Sequence, residues 1–213
     1  MYKNIMFDLD GTLIDSGRAV MGSVEYALSC MGYVNQPREK LRTFVGPSLF
    51  DSFIREYDMT PDQSREAVNL YRKDYAAGRV YDVDVYDGIP KLLGLLKDRS
   101  FQVIVVTSKP MHFTKLLIPH IGLDSCVDHI TAPELTDTSS DKTRLINKTI
   151  DELGLKKDEC IMIGDTKYDI LGAVRAGIDS IGVTYGFGSR EELLEAGAAY
   201  IAESVAGIGE VLM

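Results

Sequence analysis

The sequence predicts an α/β protein, a doubly wound parallel sheet that carries an all-helical insert. After about residue 84, short apolar runs of strand length alternate with helix-length segments, a pattern typical of a parallel sheet with helices on both faces. From residue 16 to residue 83, apolar residues recur only at helical spacing. We therefore predict a Rossmann-like core formed by residues 1–15 and 84–213, and a helical cap domain over residues 16–83.

The strands of the predicted core are recognised by their continuous apolar stretches. Residues 5–9 form a short buried run, and residues 101–106 form a mostly β-branched run typical of a strand that is covered on both faces. Further strands and the helices between them are predicted in chain order: strands at 129–131, 160–163, 178–183 and 200–201, and helices at 88–98, 110–120, 141–153, 167–176 and 189–196, with a last helix at the end.

The insert is predicted to consist of consecutive helices. Residues 17–31 and 49–57 show apolar stripes at helical spacing, and Pro37 opens a short helix between them. Thr60-Pro61-Asp62-Gln63 combines an N-cap, a proline at the first helical position and a capping-box glutamine. The helix that starts there is expected to end before Gly78.

Composition limits the partners and the compartment of the protein. The chain has 213 residues, of which 45% are hydrophobic, and a formal charge of −9. A negative surface repels nucleic acid backbones, so we expect no DNA or RNA polymer as a partner. The sparse cysteines Cys30, Cys126 and Cys160 are typical of reduced thiols in a cytosolic protein. No apolar run has membrane-spanning length, so we predict a cytoplasmic protein without a membrane partner.

The segment Asp8-Leu9-Asp10-Gly11-Thr12-Leu13 carries the strongest chemical signal. It places two carboxylates two residues apart at the carboxyl end of the first strand, where ligands of open α/β sheets bind. One carboxylate there can attack phosphorus while the other transfers protons. A plain Asp-Gly hairpin turn is the alternative, but it does not explain the second acid.

Polar residues also follow two later strands of the predicted sheet. Thr107-Ser108-Lys109 precedes Pro110, and its hydroxyl groups and backbone N–H groups would suit an anion. Gly164-Asp165-Thr166-Lys167-Tyr168-Asp169 supplies two acids one helical turn apart. Lys142 lies at a helix amino terminus, where the helix dipole disfavours it unless an anion holds it. Taken singly, Thr107 and Asp165 could be helix caps, and Lys142 could be a solvated surface lysine.

The position that the fold gives these residues favours a functional site over separate helix caps and a surface lysine. Because the carboxyl ends of parallel strands share one edge, the polar residues should meet in one crevice. Carboxylates without histidine or cysteine partners favour a hard cation such as Mg²⁺. The crevice would then hold a phosphate ester and its nucleophile. The residues expected there are Asp8, Asp10, Thr107, Asp165 and Asp169.

These motifs, and the helical insert that follows the first of them, resemble the haloacid dehalogenase superfamily of phosphatases over essentially the whole chain. The subgroup is similar to phosphoglycolate phosphatase. The resemblance implies that Asp8 is the nucleophile, that Asp10 protonates the leaving oxygen and then activates water, and that Thr107 and Lys142 bind the transferred phosphoryl group.

The resemblance also implies a Mg²⁺ site and a small phosphorylated metabolite as the substrate. The metal would be held by Asp8, the backbone carbonyl of Asp10 and Asp165, with Asp169 acting through water or positioning Lys142. We further expect contacts to the substrate from the turn and loop residues Gly11, Thr12, Ser108 and Lys109. We expect a monomer or a weak homodimer.

Several alternatives stay open at this point. Lys142-Thr143-Arg144 replaces the Lys-Pro-x-Pro common in the subgroup, so Lys148 is a reserve for the phosphate lysine. Ser108 stands where relatives often have Asn. Contacts of His112, Arg18 or Arg42 with the substrate are undecided.

The substrate is also open between 2-phosphoglycolate, nucleoside 5′-monophosphates, pyrophosphate and sugar phosphates, with phosphoglycolate as the first expectation and nucleoside monophosphates as the second. Thr107-Ser108-Lys109-Pro110 and Lys167-Tyr168-Asp169-Ile170 are similar to relatives described as 5′-nucleotidases. A phosphate-sensing binding protein on the same fold is a non-enzymatic alternative. The complete set of acids, threonine and lysine weighs against it.

Overall fold

The structure is a computed structural model that describes residues 2–137 and 141–213. Its internal contacts divide the chain into two compact units. One unit consists of Met1–Asp15 together with Val85–Met213, and the other of Ser16–Asp84.

The first unit is built on a six-stranded sheet in which all neighbouring strands are parallel. The strands among the described residues are β1 (Asn4–Phe7), β2 (Ile14–Asp15), β3 (Asp84–Val85), β4 (Gln102–Val106), β5 (His129–Thr131), β6 (Cys160–Gly164), β7 (Asp179–Val183) and β8 (Tyr200–Ala202). The order in the sheet is β5-β4-β1-β6-β7-β8, and β2 pairs separately with β3. This arrangement confirms the predicted doubly wound α/β fold.

Ten α-helices are found among the described residues. They are α1 (Gly17–Cys30), α2 (Arg38–Arg42), α3 (Leu49–Tyr57), α4 (Pro61–Ala76), α5 (Ile89–Asp98), α6 (Met111–His120), α7 (Lys142–Leu153), α8 (Lys167–Ala176), α9 (Arg190–Glu195) and α10 (Val205–Leu212). Short 3₁₀ turns precede β3 and β6.

The inner strands β1, β4 and β6 position the site, because their side chains are almost wholly buried and fix the register. Phe7 at the end of β1 lies between Val105 of β4 and Ile163 of β6. The backbone N–H of Asp8 donates to the carbonyl of Ile163 at 2.9 Å. The residues that follow these three strands therefore lie at one edge of the sheet.

The second unit contains α1 to α4 around a core of apolar and aromatic side chains. In that core the rings of Phe44 and Phe53 lie 4.9 Å apart. The start of α4 is capped reciprocally: Thr60 N–H donates to Gln63 Oε1 at 2.9 Å, and Gln63 N–H donates to Thr60 Oγ1 at 3.3 Å. A capping box satisfies two backbone donors that would otherwise lack partners, which is why this boundary could be read from the sequence.

The first strand is shorter than the predicted run of residues 5–9. The carbonyl of Leu9 accepts hydrogen bonds from the N–H groups of the following turn, including those of Leu13 at 3.0 Å and Ile14 at 3.1 Å. Leu9 therefore belongs to the turn and not to the sheet ladder. Within the described part of the chain, no helix is both long and apolar enough to cross a bilayer. Cys30, Cys126 and Cys160, which all lie among the described residues, form no disulfide bond.

Candidate active site

The centre of the site is a lysine held between two carboxylates. Lys142 Nζ donates to Asp8 Oδ1 at 2.8 Å and lies 2.8 Å from Asp169 Oδ1. It also donates to the carbonyl of Val106, the last residue of β4, at 3.0 Å. The side chain of Lys142 is 4% exposed and that of Asp8 is 7% exposed. The first residue of α7 thus joins the residue after β1, the end of β4 and the first turn of α8.

The carboxyl group of Asp165 lies directly after β6 and is completely buried. Thr12 Oγ1 donates to its Oδ1 at 3.2 Å, and the backbone N–H of Phe187 donates to its Oδ2 at 2.8 Å. Gly11, at φ +85°, passes so close that a Cβ atom at this position would lie 2.1 Å from Asp165 Oδ2. The Asp-Gly turn therefore needs glycine both for its backbone angle and for this approach.

Asp169, on the first turn of α8, is held in a fixed orientation. Its Oδ2 accepts hydrogen bonds from the backbone N–H of Thr166 at 3.1 Å and from Thr166 Oγ1 at 2.8 Å. This capping interaction directs Oδ1 to Lys142. Asp169 thus both caps α8 and contributes a carboxylate to the site.

Burial and mutual repulsion disturb the ionisation of the carboxylates. Burial raises the pKa of Asp8 to about 6; Lys142 acts in the opposite direction, and the charges of Asp169 and Asp10 add to the rise. Burial, with the charges of Asp169 and Asp8, raises the pKa of Asp165 well above its usual range. The pKa of Lys142 is raised, because its two carboxylate partners outweigh the effect of burial. One lysine therefore does not neutralise this cluster.

Asp8, Asp165 and Asp169 fit a divalent cation. Each offers a carboxylate oxygen, these oxygens lie within 4.8 Å of one another, and all three residues are buried. An all-oxygen donor set suits a hard cation. Burial and the neighbouring acids raise the pKa values of Asp8 and Asp165, and a bound cation would favour their ionised forms. The backbone carbonyl of Asp10, which the family resemblance implies as a further ligand, stays a prediction.

Asp10 forms a second buried ion pair beside this cluster. Its Oδ2 lies 3.1 Å from Lys109 Nζ, and the two side chains are 12% and 4% exposed. Its Oδ1 is buried and accepts no hydrogen bond from the residues that the structure describes. Lys109, which the sequence suggested as a substrate contact, thus has Asp10 as a partner. The uncommitted Oδ1 is suited to a proton exchange with a substrate or water.

The loop after β4 is tied to the neighbouring strand. Thr107 N–H donates to the carbonyl of Thr131 at 3.1 Å, and Thr107 Oγ1 accepts from the backbone N–H of Lys109 at 3.2 Å. Thr107 is buried and Ser108 is half-buried. The loop therefore holds Thr107 next to the carbonyl that binds Lys142, at the edge where Asp8 lies.

The structure distinguishes the two lysines that the sequence left open. Lys148 lies on the surface, 3.8 Å from Glu152, with 49% of its side chain exposed. Lys142 lies in the carboxylate cluster. His112 is exposed on α6, and Arg42 is an exposed residue at the end of α2. Arg18 pairs with Asp82 at 3.0 Å and Asp84 at 2.9 Å within the helical unit.

Sequence reasoning missed the loop that follows β7. Phe187 contributes its N–H to Asp165, and Tyr185 donates its hydroxyl to the carbonyl of Thr12 at 2.9 Å. A Cβ at Gly186 would lie 2.4 Å from Asp165 Oδ2. The position of this loop in the sequence could have predicted its role. The predicted strand at residues 178–183 also ends at the edge of the sheet where the site lies, and Gly-Phe-Gly follows it closely.

Comparisons with known proteins identify the family of the chain. The sequence pattern of the haloacid dehalogenase-like hydrolase family matches residues 5–183. A 5′-nucleotidase of Pseudomonas aeruginosa is 38% identical over 99% of this chain and 96% of its own length. A phosphoglycolate phosphatase of Colwellia psychrerythraea is 25% identical over 91% of this chain and 89% of its own length. The crystal structure of a predicted phosphatase from Clostridium acetobutylicum is 40% identical, covers 100% of this chain and 98% of its own, and superposes with a TM-score of 0.96.

Buried acids and a lysine at the edge of a doubly wound sheet are groups that a hydrolase of phosphate esters needs. The chain belongs to the haloacid dehalogenase-like hydrolase family, and within that family it is a phosphatase.

Proposed function

We propose that the protein is a Mg²⁺-dependent phosphomonoesterase that works through an aspartyl-phosphate on Asp8. The observation that carries this proposal is the placement of Asp8 among Asp165, Asp169 and Lys142, where it is buried and held by a hydrogen bond. A carboxylate in this position is oriented for attack, and the lysine offsets charge on the phosphoryl oxygens. Mg²⁺ bound by Asp8, Asp165 and Asp169 would supply further positive charge at the phosphoryl group.

The reaction divides into two displacements. A carboxylate oxygen of Asp8 forms a bond to phosphorus as the bond from phosphorus to the ester oxygen breaks. The departing alcohol takes a proton from Asp10, so this step requires a proton on Oδ1 of Asp10 while Oδ2 faces Lys109. Asp10 then takes a proton from water, the water oxygen bonds to phosphorus, and the bond to Asp8 breaks to release phosphate. Thr107 and Lys142 are the proposed contacts of the transferred phosphoryl group.

For the substrate, we propose nucleoside 5′-monophosphates. The 38% identity to a 5′-nucleotidase over nearly the whole of both chains supports this choice. Phosphoglycolate is the second candidate, supported by relatives named phosphoglycolate phosphatase at 25% and 27% identity. Arg18, which could have met the carboxylate of phosphoglycolate, is paired with Asp82 and Asp84.

The test is a turnover screen by phosphate release. Nucleoside 5′-monophosphates, 2-phosphoglycolate, pyrophosphate and sugar phosphates are compared with Mg²⁺ and with EDTA. We expect release only with Mg²⁺, and the highest kcat/KM on a nucleoside monophosphate. Turnover in EDTA would contradict the metal dependence. A preference for phosphoglycolate would contradict the proposed substrate, and no hydrolysis of any ester would favour a binding protein.

A further inference from the structure

The loop after β7 closes over one side of the carboxyl group of Asp165, and the turn after β1 closes over the other. Phe187 N–H donates to Oδ2 at 2.8 Å, while Thr12 Oγ1 donates to Oδ1 at 3.2 Å. Both oxygens of the carboxylate are thereby oriented, and its rotation about the Cβ–Cγ bond is restricted. A metal ligand held in this way loses little conformational freedom when the ion binds.

A side-chain hydrogen bond joins the two sides of this enclosure. Tyr185 lies between Val183, at the end of β7, and Phe187, and its hydroxyl donates to the backbone carbonyl of Thr12 at 2.9 Å. Burial, together with the charge of Asp165, raises the pKa of Tyr185, so the hydroxyl keeps its proton and acts as the donor. This bond connects two loops that are 173 residues apart in sequence.

The ring of Tyr185 is fixed as well as its hydroxyl. It meets the ring of Tyr86 edge-on, with centroids 4.8 Å apart and planes at 64°. Tyr86 in turn donates its backbone N–H to the carbonyl of Leu13 at 3.1 Å, next to Thr12 in the chain. Tyr185 is therefore held to the turn after β1 by its hydroxyl and through Tyr86 by its ring.

From this geometry we propose that Tyr185 is a positioning residue for the metal ligand Asp165: its hydrogen bond to Thr12 holds the two loops together around the carboxylate and thereby sets the affinity for Mg²⁺. The inference rests on the proposed metal dependence. Tyr185 contacts neither the ion nor the substrate in this scheme. It acts only through Thr12 and Phe187, which fix Asp165.

The experiment is calorimetric titration of Mg²⁺ into wild-type protein and into Tyr185→Phe, which removes the hydroxyl and keeps the ring. Outer-sphere changes at metal sites weaken binding about 10–100-fold, and Tyr185 is one step further away, so we expect Kd to rise about 5–10-fold. The Mg²⁺ concentration for half-maximal activity should rise equally, with kcat at saturating Mg²⁺ within about twofold of wild type. Tyr2→Phe is the matched control, since it also removes a phenol hydrogen bond, to Asp179 at 2.6 Å at the far end of the sheet. Its Mg²⁺ affinity should equal that of wild type.

A second variant, at Thr12, tests the support of Asp165 by a different substitution. Thr12→Val removes the hydrogen bond to Asp165 Oδ1, and it should weaken Mg²⁺ binding even if Tyr185→Phe does not fold. Where both variants fold, the loss in the double variant should be smaller than the product of the two separate losses, because they act on one carboxylate. Wild-type affinity in folded Tyr185→Phe would overturn this inference alone. No Mg²⁺ binding by the wild type would overturn the metal dependence, and this inference with it.

Discussion

Lys142 Nζ donates to Asp8 Oδ1 at 2.8 Å, although α7 begins at this lysine and the helix dipole opposes a positive charge there. The hydrogen bond also spans 134 residues of sequence. A buried cation at a helix amino terminus is stable only with anionic partners close by. Asp8 and Asp169 are those partners, so the lysine and the two acids depend on one another.

Asp8→Asn should abolish turnover and leave the protein folded. We expect kcat to fall on the order of 10⁴-fold or more, because the amide cannot form the covalent intermediate. Asparagine keeps the size of the side chain and an oxygen that can accept from Lys142, and it removes one of three neighbouring acidic charges. Phosphate release and thermal unfolding measured on the same preparation check this. Mg²⁺-dependent turnover within about tenfold of wild type would show that Asp8 is not the nucleophile.

Lys142→Met should cost both stability and activity. It leaves Asp8 and Asp169 buried without their cation, and breaking a buried pair in this way costs about 3–5 kcal/mol of unfolding free energy. We expect kcat to fall roughly 10²–10³-fold, as for the loss of a group that stabilises transition-state charge. Urea unfolding with and without Mg²⁺ measures the first effect, and bound Mg²⁺ should restore part of the lost stability.

Lys148→Met is the matched control for this variant. Lys148 is half exposed and lies 3.8 Å from Glu152, so its removal should change the unfolding free energy by no more than about 0.5 kcal/mol. Its kcat should equal that of wild type. The reverse result, with Lys148→Met inactive and Lys142→Met active, would assign the phosphate contact to the surface lysine.

Asp8 should contribute a loss of stability to the metal-free protein as the pH rises from about 4 to about 6. The folded-state pKa of Asp8 is raised to about 6 from its ordinary 3.8, so between these values the folded state binds more protons than the unfolded state. For such a group the contribution to stability is present below the unfolded pKa and is lost as the pH rises through the folded pKa. The loss is up to about 3 kcal/mol, since one pKa unit corresponds to about 1.4 kcal/mol.

Urea unfolding of wild type and Asp8→Asn in EDTA isolates this contribution, because the variant lacks the titrating group. From pH 4 to pH 7, the unfolding free energy of the wild type should fall relative to that of Asp8→Asn. Saturating Mg²⁺ should reduce this fall, since the cation stabilises the ionised carboxylate. A difference that stays constant with pH would contradict the raised pKa of Asp8.

The fold, and the residues that directly follow strands, could be predicted from the sequence because both depend on local patterns. The β-branched run before Thr107 and the apolar run before Asp165 mark inner parallel strands, and parallel strands carry their following residues to one edge. The contacts that those residues make could not be predicted from the sequence. The pairing of Asp10 with Lys109, and the contacts of Asp165 with Phe187, arise from loop paths that no local periodicity encodes. Backbone donors such as the N–H of Phe187 also leave no trace in residue type.

Gly186→Ala should displace Asp165 and weaken Mg²⁺ binding. A Cβ at Gly186 would lie 2.4 Å from Asp165 Cβ, from Asp165 Oδ2 and from the carbonyl oxygen of Gly11, so either the carboxylate or a loop must move. We expect Kd for Mg²⁺ to rise about tenfold or more, because outer-sphere support of the ligand is lost. Unfolding free energy should fall by about 1–3 kcal/mol from the overpacking.

Gly94→Ala is the matched control for this prediction, because it makes the same substitution at a different position. Gly94 lies within α5, and a Cβ there would meet nothing within 4 Å. Alanine is the better helix former, so this variant should gain up to about 1 kcal/mol and keep its Mg²⁺ affinity. Calorimetry and urea unfolding on the pair of variants separate the close contact at Asp165 from any general effect of replacing glycine. Equal Mg²⁺ affinity in both variants would show that the packing of Gly186 on Asp165 does not constrain the metal ligand.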